Sequence, residues 1–115
     1  MKRLYIGVMI LEKTDNLIEK INETILKYVS ARYIYLFGSH AYGEPTDDSD
    51  VDIYVVVPDD VEDMIDLRVK IKKELRLNKV EGVDMILKRE SVFFDRIEKF
   101  LLEKAVYNKG SLIYE

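Results

Sequence analysis

The sequence contains no cysteine and a single histidine, His40. Disulfides, thiolate zinc sites and histidine-built zinc clusters are thereby excluded. No apolar run approaches the ~18 residues that a membrane-spanning helix needs. Met1-Lys2-Arg3 and the apolar residues after it superficially resemble a secretory leader. The stretch is short, is interrupted by Gly7 and reaches Glu12-Lys13 without a small-residue cleavage site. A cytoplasmic protein with no membrane partner is the expectation. Positive charge is also in short supply: 18 Lys and Arg against 22 Asp and Glu leave a net charge of −4. That balance argues against general nucleic-acid binding through phosphate neutralisation. Repeats, low-complexity tracts and linkers are absent.

What is present is a chain of 115 residues, 48% apolar and 35% charged. This predicts one globular domain over 1–115, with residues 1–13 an N-terminal extension of undecided structure.

The most telling absence is local. Residues 38 to 57 contain no Lys or Arg, yet Asp50 and Asp52 stand at the start of the apolar run Val51 to Val57. On a strand, spacing i, i+2 places both carboxylates on one face. At an effective dielectric of about 20, two unit charges ~5 Å apart repel by roughly 3 kcal/mol. With no basic side chain nearby, the missing positive charge is best supplied by a divalent cation with oxygen ligands, Mg²⁺ first among them. Gly38-Ser39 ends the preceding apolar run, Tyr33 to Phe37. A glycine there lets the backbone approach a phosphate, and a helix starting just after it would favour an anion. Phosphate at one end and metal at the other read as a nucleoside triphosphate site.

Gly38-Ser39 followed by Asp50-Val51-Asp52, set between two apolar runs, resembles the signature of the DNA polymerase β-type nucleotidyltransferase superfamily. The small size is similar to its minimal nucleotidyltransferase (MNT) branch, and the resemblance runs from about Asp15 to the C-terminus. It implies a third carboxylate on a later strand, matched by Asp84 in Gly82-Val83-Asp84-Met85-Ile86-Leu87. It also implies two Mg²⁺ ions held by Asp50, Asp52 and Asp84, with Gly38 and Ser39 binding the phosphates of ATP. AMP, or another nucleoside monophosphate, would pass to a hydroxyl acceptor. Stand-alone MNT proteins resemble the antitoxin half of toxin–antitoxin modules, whose partner is typically a HEPN-domain RNase that is modified on a tyrosine. Family members often carry arginines around the Gly-Ser turn, where this chain has His40 and Tyr42. That departure keeps an alternative in play, a catalytically weak antitoxin that blocks its partner sterically. A third reading is a transferase whose acceptor subunit is separately encoded.

Around this segment helices and strands alternate, which predicts an α/β or α+β two-layer fold with helices packed on a mixed central sheet. Residues 3 to 11 are ambiguous between a strand and a helical turn. Asn16 with Glu19 makes a capping box before an apolar stripe of Leu17, Ile18, Ile21, Ile25, Tyr28 and Val29. Tyr33 to Phe37 is apolar on both faces and so reads as a central strand. His40 to Tyr42 could form a short helical turn, with Asp47, Asp48 and Ser49 solvating and bracing the loop. After the strand Val51 to Val57, Asp59 or Asp60 caps a helix bearing Val61, Met64, Leu67, Ile71 and Leu75. Lys70, Lys72, Lys73, Arg76 and Lys79 read as its wet face, with partner docking a minority reading. A strand Gly82 to Leu87 follows. Ser91 then caps a last helix carrying Phe93, Ile97, Phe100, Leu101 and Ala105, which ends near Gly110 as a C′ residue before an extended tail.

Overall fold

The computed structural model describes residues 12–38 and 50–115. Its elements are α1 (Glu12–Tyr28), β1 (Tyr33–Phe37), β2 (Val51–Val57), α2 (Met64–Leu77), β3 (Val83–Arg89), α3 (Glu90–Ile97), α4 (Leu101–Lys109) and β4 (Ser111–Tyr114). The strands form one mixed sheet in the order β3-β2-β1-β4. β1 runs antiparallel to both its neighbours, whereas β2 and β3 are parallel. A parallel pair cannot be closed by a tight turn, and α2 supplies the crossover. The expected α+β class and mixed central sheet hold, and β1 is an interior strand, as its two-sided apolar character predicts; β2 is interior as well.

Strand alternation sends successive side chains to opposite faces. Ile34, Leu36, Ile53, Val55, Val57 and Met85 face α1 and α2, meeting Ile18, Ile21, Ile25, Leu67, Ile71 and Leu75 in the main core. Tyr35, Phe37, Tyr54 and Val56 point the other way and meet Phe93 of α3 and Val106 of α4. The layer of α1 and α2 is thus joined by smaller helical cover on the second face. This second cluster is aromatic: the Phe93 ring lies 5.1 Å from Tyr54 and 5.7 Å from Tyr35, within the range of favourable ring pairs.

Several local expectations are corrected. α1 begins at Glu12, so Asn16 sits inside the helix instead of capping it; Glu and Lys upstream are good helix formers and carry it further back. Tyr28 leaves the apolar stripe, donating its hydroxyl to Glu74 on α2, which also pairs with Lys27. Val29 lies beyond the helix end. The cap of α2 is Asp63, whose Oδ1 accepts from the Asp66 amide at 2.9 Å. Val61 precedes the helix and packs against the main core from the loop. Asp59 has another task, accepting from the Ser91 amide at 2.9 Å, so Ser91 lies within α3 and Arg89 occupies its cap position. The third strand runs two residues further than predicted, to Arg89. There Arg89 donates back to the Val61 carbonyl.

The last predicted helix is two helices. At 100° per residue, Phe93 and Val106 on one straight helix would point about 220° apart, yet both must enter the second cluster. The chain breaks at Phe100, whose backbone is extended, and Arg96 O accepts from the amides of Lys99 and Phe100. Leu101, expected inside, is 84% exposed. Gly110 ends α4 with φ −68, so its role is spatial: a Cβ there would meet the Val106 carbonyl at 2.5 Å. The tail becomes β4, paired with β1 and held to α1 by a buried bond from Asn22 to the Ile113 carbonyl. The ambiguous residues 3 to 11 and the turn at 40–42 lie outside the described residues.

The break also buries Glu103. Its carboxylate accepts from the Tyr54 hydroxyl at 2.9 Å and from Arg96 Nε at 2.8 Å. Burial alone would raise the Glu103 pKa, but the bonds from Arg96 and Tyr54 together outweigh it and hold it below the ordinary value. A lowered folded pKa means that this group stabilises the fold fully above its unfolded value of about 4.3. The contribution is lost as pH falls through the folded value. Glu103→Gln should therefore cost about 1.5–3 kcal/mol near pH 7, with the gap to wild type narrowing toward pH 3. Denaturation curves across that range check it, and a pH-independent gap would contradict the ion pair.

Candidate functional site

β2 and β3 bring Asp52 and Asp84 together. In the parallel pairing Asp52 is the register partner of Asp84, Val51 of Val83 and Ile53 of Met85. Neighbouring strands lie about 4.8 Å apart, so the two carboxylates project side by side from one face. That face is the aromatic one, because Ile53 and Met85 are buried on the other. Asp52 is half-buried and Asp84 exposed. Asp50, exposed just ahead of β2, has Oδ1 close to Gly82, where an added Cβ would stand 3.5 Å away. All three carboxylates therefore belong to one end of the sheet, where β2 and β3 begin and β1 finishes.

β1 contributes the opposite wall. Phe37 pairs with Asp52 across the antiparallel ladder, and Gly38 follows with φ +75. That is left-handed backbone, which side-chain-bearing residues adopt only at a cost. Space decides as well: a Cβ on Gly38 would stand 2.1 Å from Asp52 Oδ2. Gly38 thus packs closely against the Asp52 carboxylate. Ser39, the second predicted phosphate ligand, lies outside the described residues, as do His40, Tyr42, Asp47, Asp48 and Ser49. Behind Asp52 on the same face comes Tyr54, fully buried, with the Phe37 ring 6.3 Å away. Burial first, and then its bond to Glu103, raise the Tyr54 pKa far above the ordinary phenol value. It stays a neutral donor to Glu103.

As ligands the three aspartates fit a hard divalent ion, being oxygen donors without a basic neighbour in sequence. Among the described residues, however, no group of three His, Asp or Glu side chains is gathered so as to hold a metal ion. The Tyr54–Glu103–Arg96 network was missed by sequence reasoning. Its one signal is an acidic residue embedded in Leu101-Leu102-Glu103-Lys104-Ala105-Val106.

A family match covers this whole arrangement. The family described as Polymerase beta, Nucleotidyltransferase matches residues 19–115. The chain belongs to this nucleotidyltransferase family. No curated protein sequence matches. Among solved structures, one of a toxin–antitoxin with AMP-PNP superposes with a TM-score of 0.61 at 24% identity, covering 84% of this chain and 72% of that one. A protein from Sulfolobus solfataricus assigned to the nucleotidyltransferases gives a TM-score of 0.52 at 23% identity, covering 92% of this chain and 90% of that one. At these identities the likeness shows the nucleotidyltransferase fold. No helix among the described residues is long and apolar enough to cross a membrane.

The contact between Gly38 and Asp52 generates a prediction independent of activity. Gly38→Ala should destabilise the fold by about 1–3 kcal/mol, from strained φ and displacement of the carboxylate. In an Asp52→Ala background the cost should be smaller, because the obstructing oxygen is gone. A double-mutant cycle by urea denaturation measures this coupling, and strict additivity would show that the two residues do not meet.

Proposed function

We propose that this nucleotidyltransferase-family chain moves AMP, or another nucleoside monophosphate, from a nucleoside triphosphate to a hydroxyl of a partner protein, and so acts as an antitoxin. The observation that carries the reading is the register pairing of Asp52 with Asp84, on the face where Gly38 closes over Asp52. The toxin–antitoxin structure with AMP-PNP supports a nucleotide and a protein partner, by likeness of fold. A tyrosine of a HEPN-domain RNase is the acceptor that the MNT resemblance favours.

In this reading Asp50, Asp52 and Asp84 are the residues that hold Mg²⁺. When bound, Mg²⁺ supplies charge neutralisation on the triphosphate and acidifies the attacking hydroxyl. The chain's own residues then act by position. Asp52 and Asp84, presented by two rigid adjacent strands, would keep the cation's oxygen donors in one fixed place, an orientation that substitutes for chance encounter. The backbone at Gly38 and the hydroxyl of Ser39 hold the terminal phosphates. A bond forms between the acceptor oxygen and the α-phosphorus, the α–β bridging bond breaks, pyrophosphate departs and the hydroxyl proton passes to water.

A second reading has its own observation. His40 and Tyr42 stand where members of the resembled family often carry arginines, which favours an antitoxin that binds its partner and blocks it without chemistry. Intact-mass measurement of the partner after incubation with ATP and Mg²⁺ separates the two. Added AMP supports transfer; tight binding at unchanged mass supports blocking.

With α-labelled ATP, Asp50→Ala and Asp52→Ala should each lower labelling by at least about 100-fold, the scale of a lost charge-stabilising group in catalysis. Removing Mg²⁺ with EDTA should do the same. Circular dichroism should show both variants folded, and near-normal labelling by either would refute the assignment.

A further inference from the structure

α2 divides its polar surface by charge. On one side Asp66 pairs with Lys70, and Glu74 is engaged by Lys27 and Tyr28 of α1. The other side carries Arg68, Lys72 and Arg76 at successive i, i+4 positions. Ile65, Val69 and Lys73 form a second row beside them. No acidic residue of α2 falls on this side. Among the described residues, Arg68, Lys72, Lys73 and Arg76 form no ion pair. Lys72 donates to the Val83 carbonyl.

Like charges at i, i+4 destabilise a helix, and the dipole repays only cations in the last turn, which covers Arg76 and not Arg68. A merely wet face would mix its signs, as the opposite side of α2 does. This side also exposes aliphatic surface, with Ile65 78% and Val69 57% exposed. The positive row continues into a concavity of about 250 Å³ lined by Lys72, Arg76, Val80, Glu81 and Gly82 among others. Among the described residues Glu81 is its one acid. Gly82 is the glycine beside Asp50, so the stripe leads to the acidic end of the sheet.

We propose that this face of α2 docks a segment of a partner protein that carries acidic side chains interleaved with aliphatic ones. Charge complementarity sets the acidic requirement, and Ile65 and Val69 set the aliphatic one. A polynucleotide fits less well: among the described residues the face offers no aromatic ring on which a base could stack, and the chain is acidic overall. The surface stands independently of nucleotidyl transfer, since binding is measured without nucleotide or metal. Its failure would leave the transfer reading intact, and loss of transfer would leave the surface intact.

The test is fluorescence anisotropy on the full chain. The probes are a synthetic amphipathic peptide of Glu and Leu, the same peptide with Leu replaced by Ser, and an oligouridylate of matched charge. The Glu-Leu peptide should bind at low salt, weaken as salt rises and exceed both other probes. Arg68→Glu/Lys73→Glu/Arg76→Glu should weaken it by about tenfold or more. The corresponding Gln triple variant should weaken it in the same direction and melt no lower than wild type, because repulsion along the row is relieved. No binding by wild type, undiminished binding by the Gln variant, or tighter binding of the oligouridylate would overturn the proposal.

Discussion

The fold rests on one constraint, the register between β2 and its two neighbours. A strand shows each residue to one face only, so sliding β2 by one position would exchange its two sides. Ile53, Val55 and Val57 would leave the main core, and Asp52 would enter it. Bringing an unpaired carboxylate into that apolar layer would cost several kcal/mol, more than the roughly 3 kcal/mol by which two neighbouring carboxylates repel at an effective dielectric of about 20. The core thereby enforces an arrangement that electrostatics alone would avoid. Asp52 stands beside Asp84 because the residues next to them must be buried.

The second face is built differently from the first. It is covered by Phe93 and Val106, and where β2 and β3 begin it carries the aspartates. Tyr54 links the two regions, two residues after Asp52 and bonded to Glu103. A buried carboxylate is tolerable only when it is paired and hydrogen-bonded. Arg96 and Tyr54 supply both, and the guanidinium of Arg96 also lies 4.0 Å above the Phe100 ring. The helix break at Phe100 makes this possible, because it lets α4 turn Glu103 and Val106 inward while Phe93 on α3 faces the same cluster.

Much of this was legible in the chain. β1 and β2 have the bounds that their apolar runs predict, since runs bounded by Gly38 and Pro58 leave little freedom. α2 shows the predicted inner face of Leu67, Ile71 and Leu75. Where the reading failed, competing local signals were equally good. Asp59, Asp60 and Asp63 are all capping types, and only the approach of α3 reserves Asp59 for Ser91. Phe100 and Leu101 continue a plausible helical stripe, and nothing local announces that Phe93 and Val106 must reach one cluster. Asp50, Asp52 and Asp84 are candidates from spacing and resemblance and Gly38 from its place at a strand end, and the fold brings Asp52 level with Asp84 and Gly38 against Asp52.

The sequence by itself determined the alternation of helix and strand, the interior place of β1 and the parity that sets Asp52 opposite Ile53 on β2, because these follow from local periodicity. Tertiary structure alone decided that β3 lies parallel to β2 with Asp84 level with Asp52, that Gly38 abuts the Asp52 carboxylate and that the tail becomes an edge strand. Strand order and the meeting of distant side chains depend on which apolar faces find each other, and no short stretch of sequence carries that information.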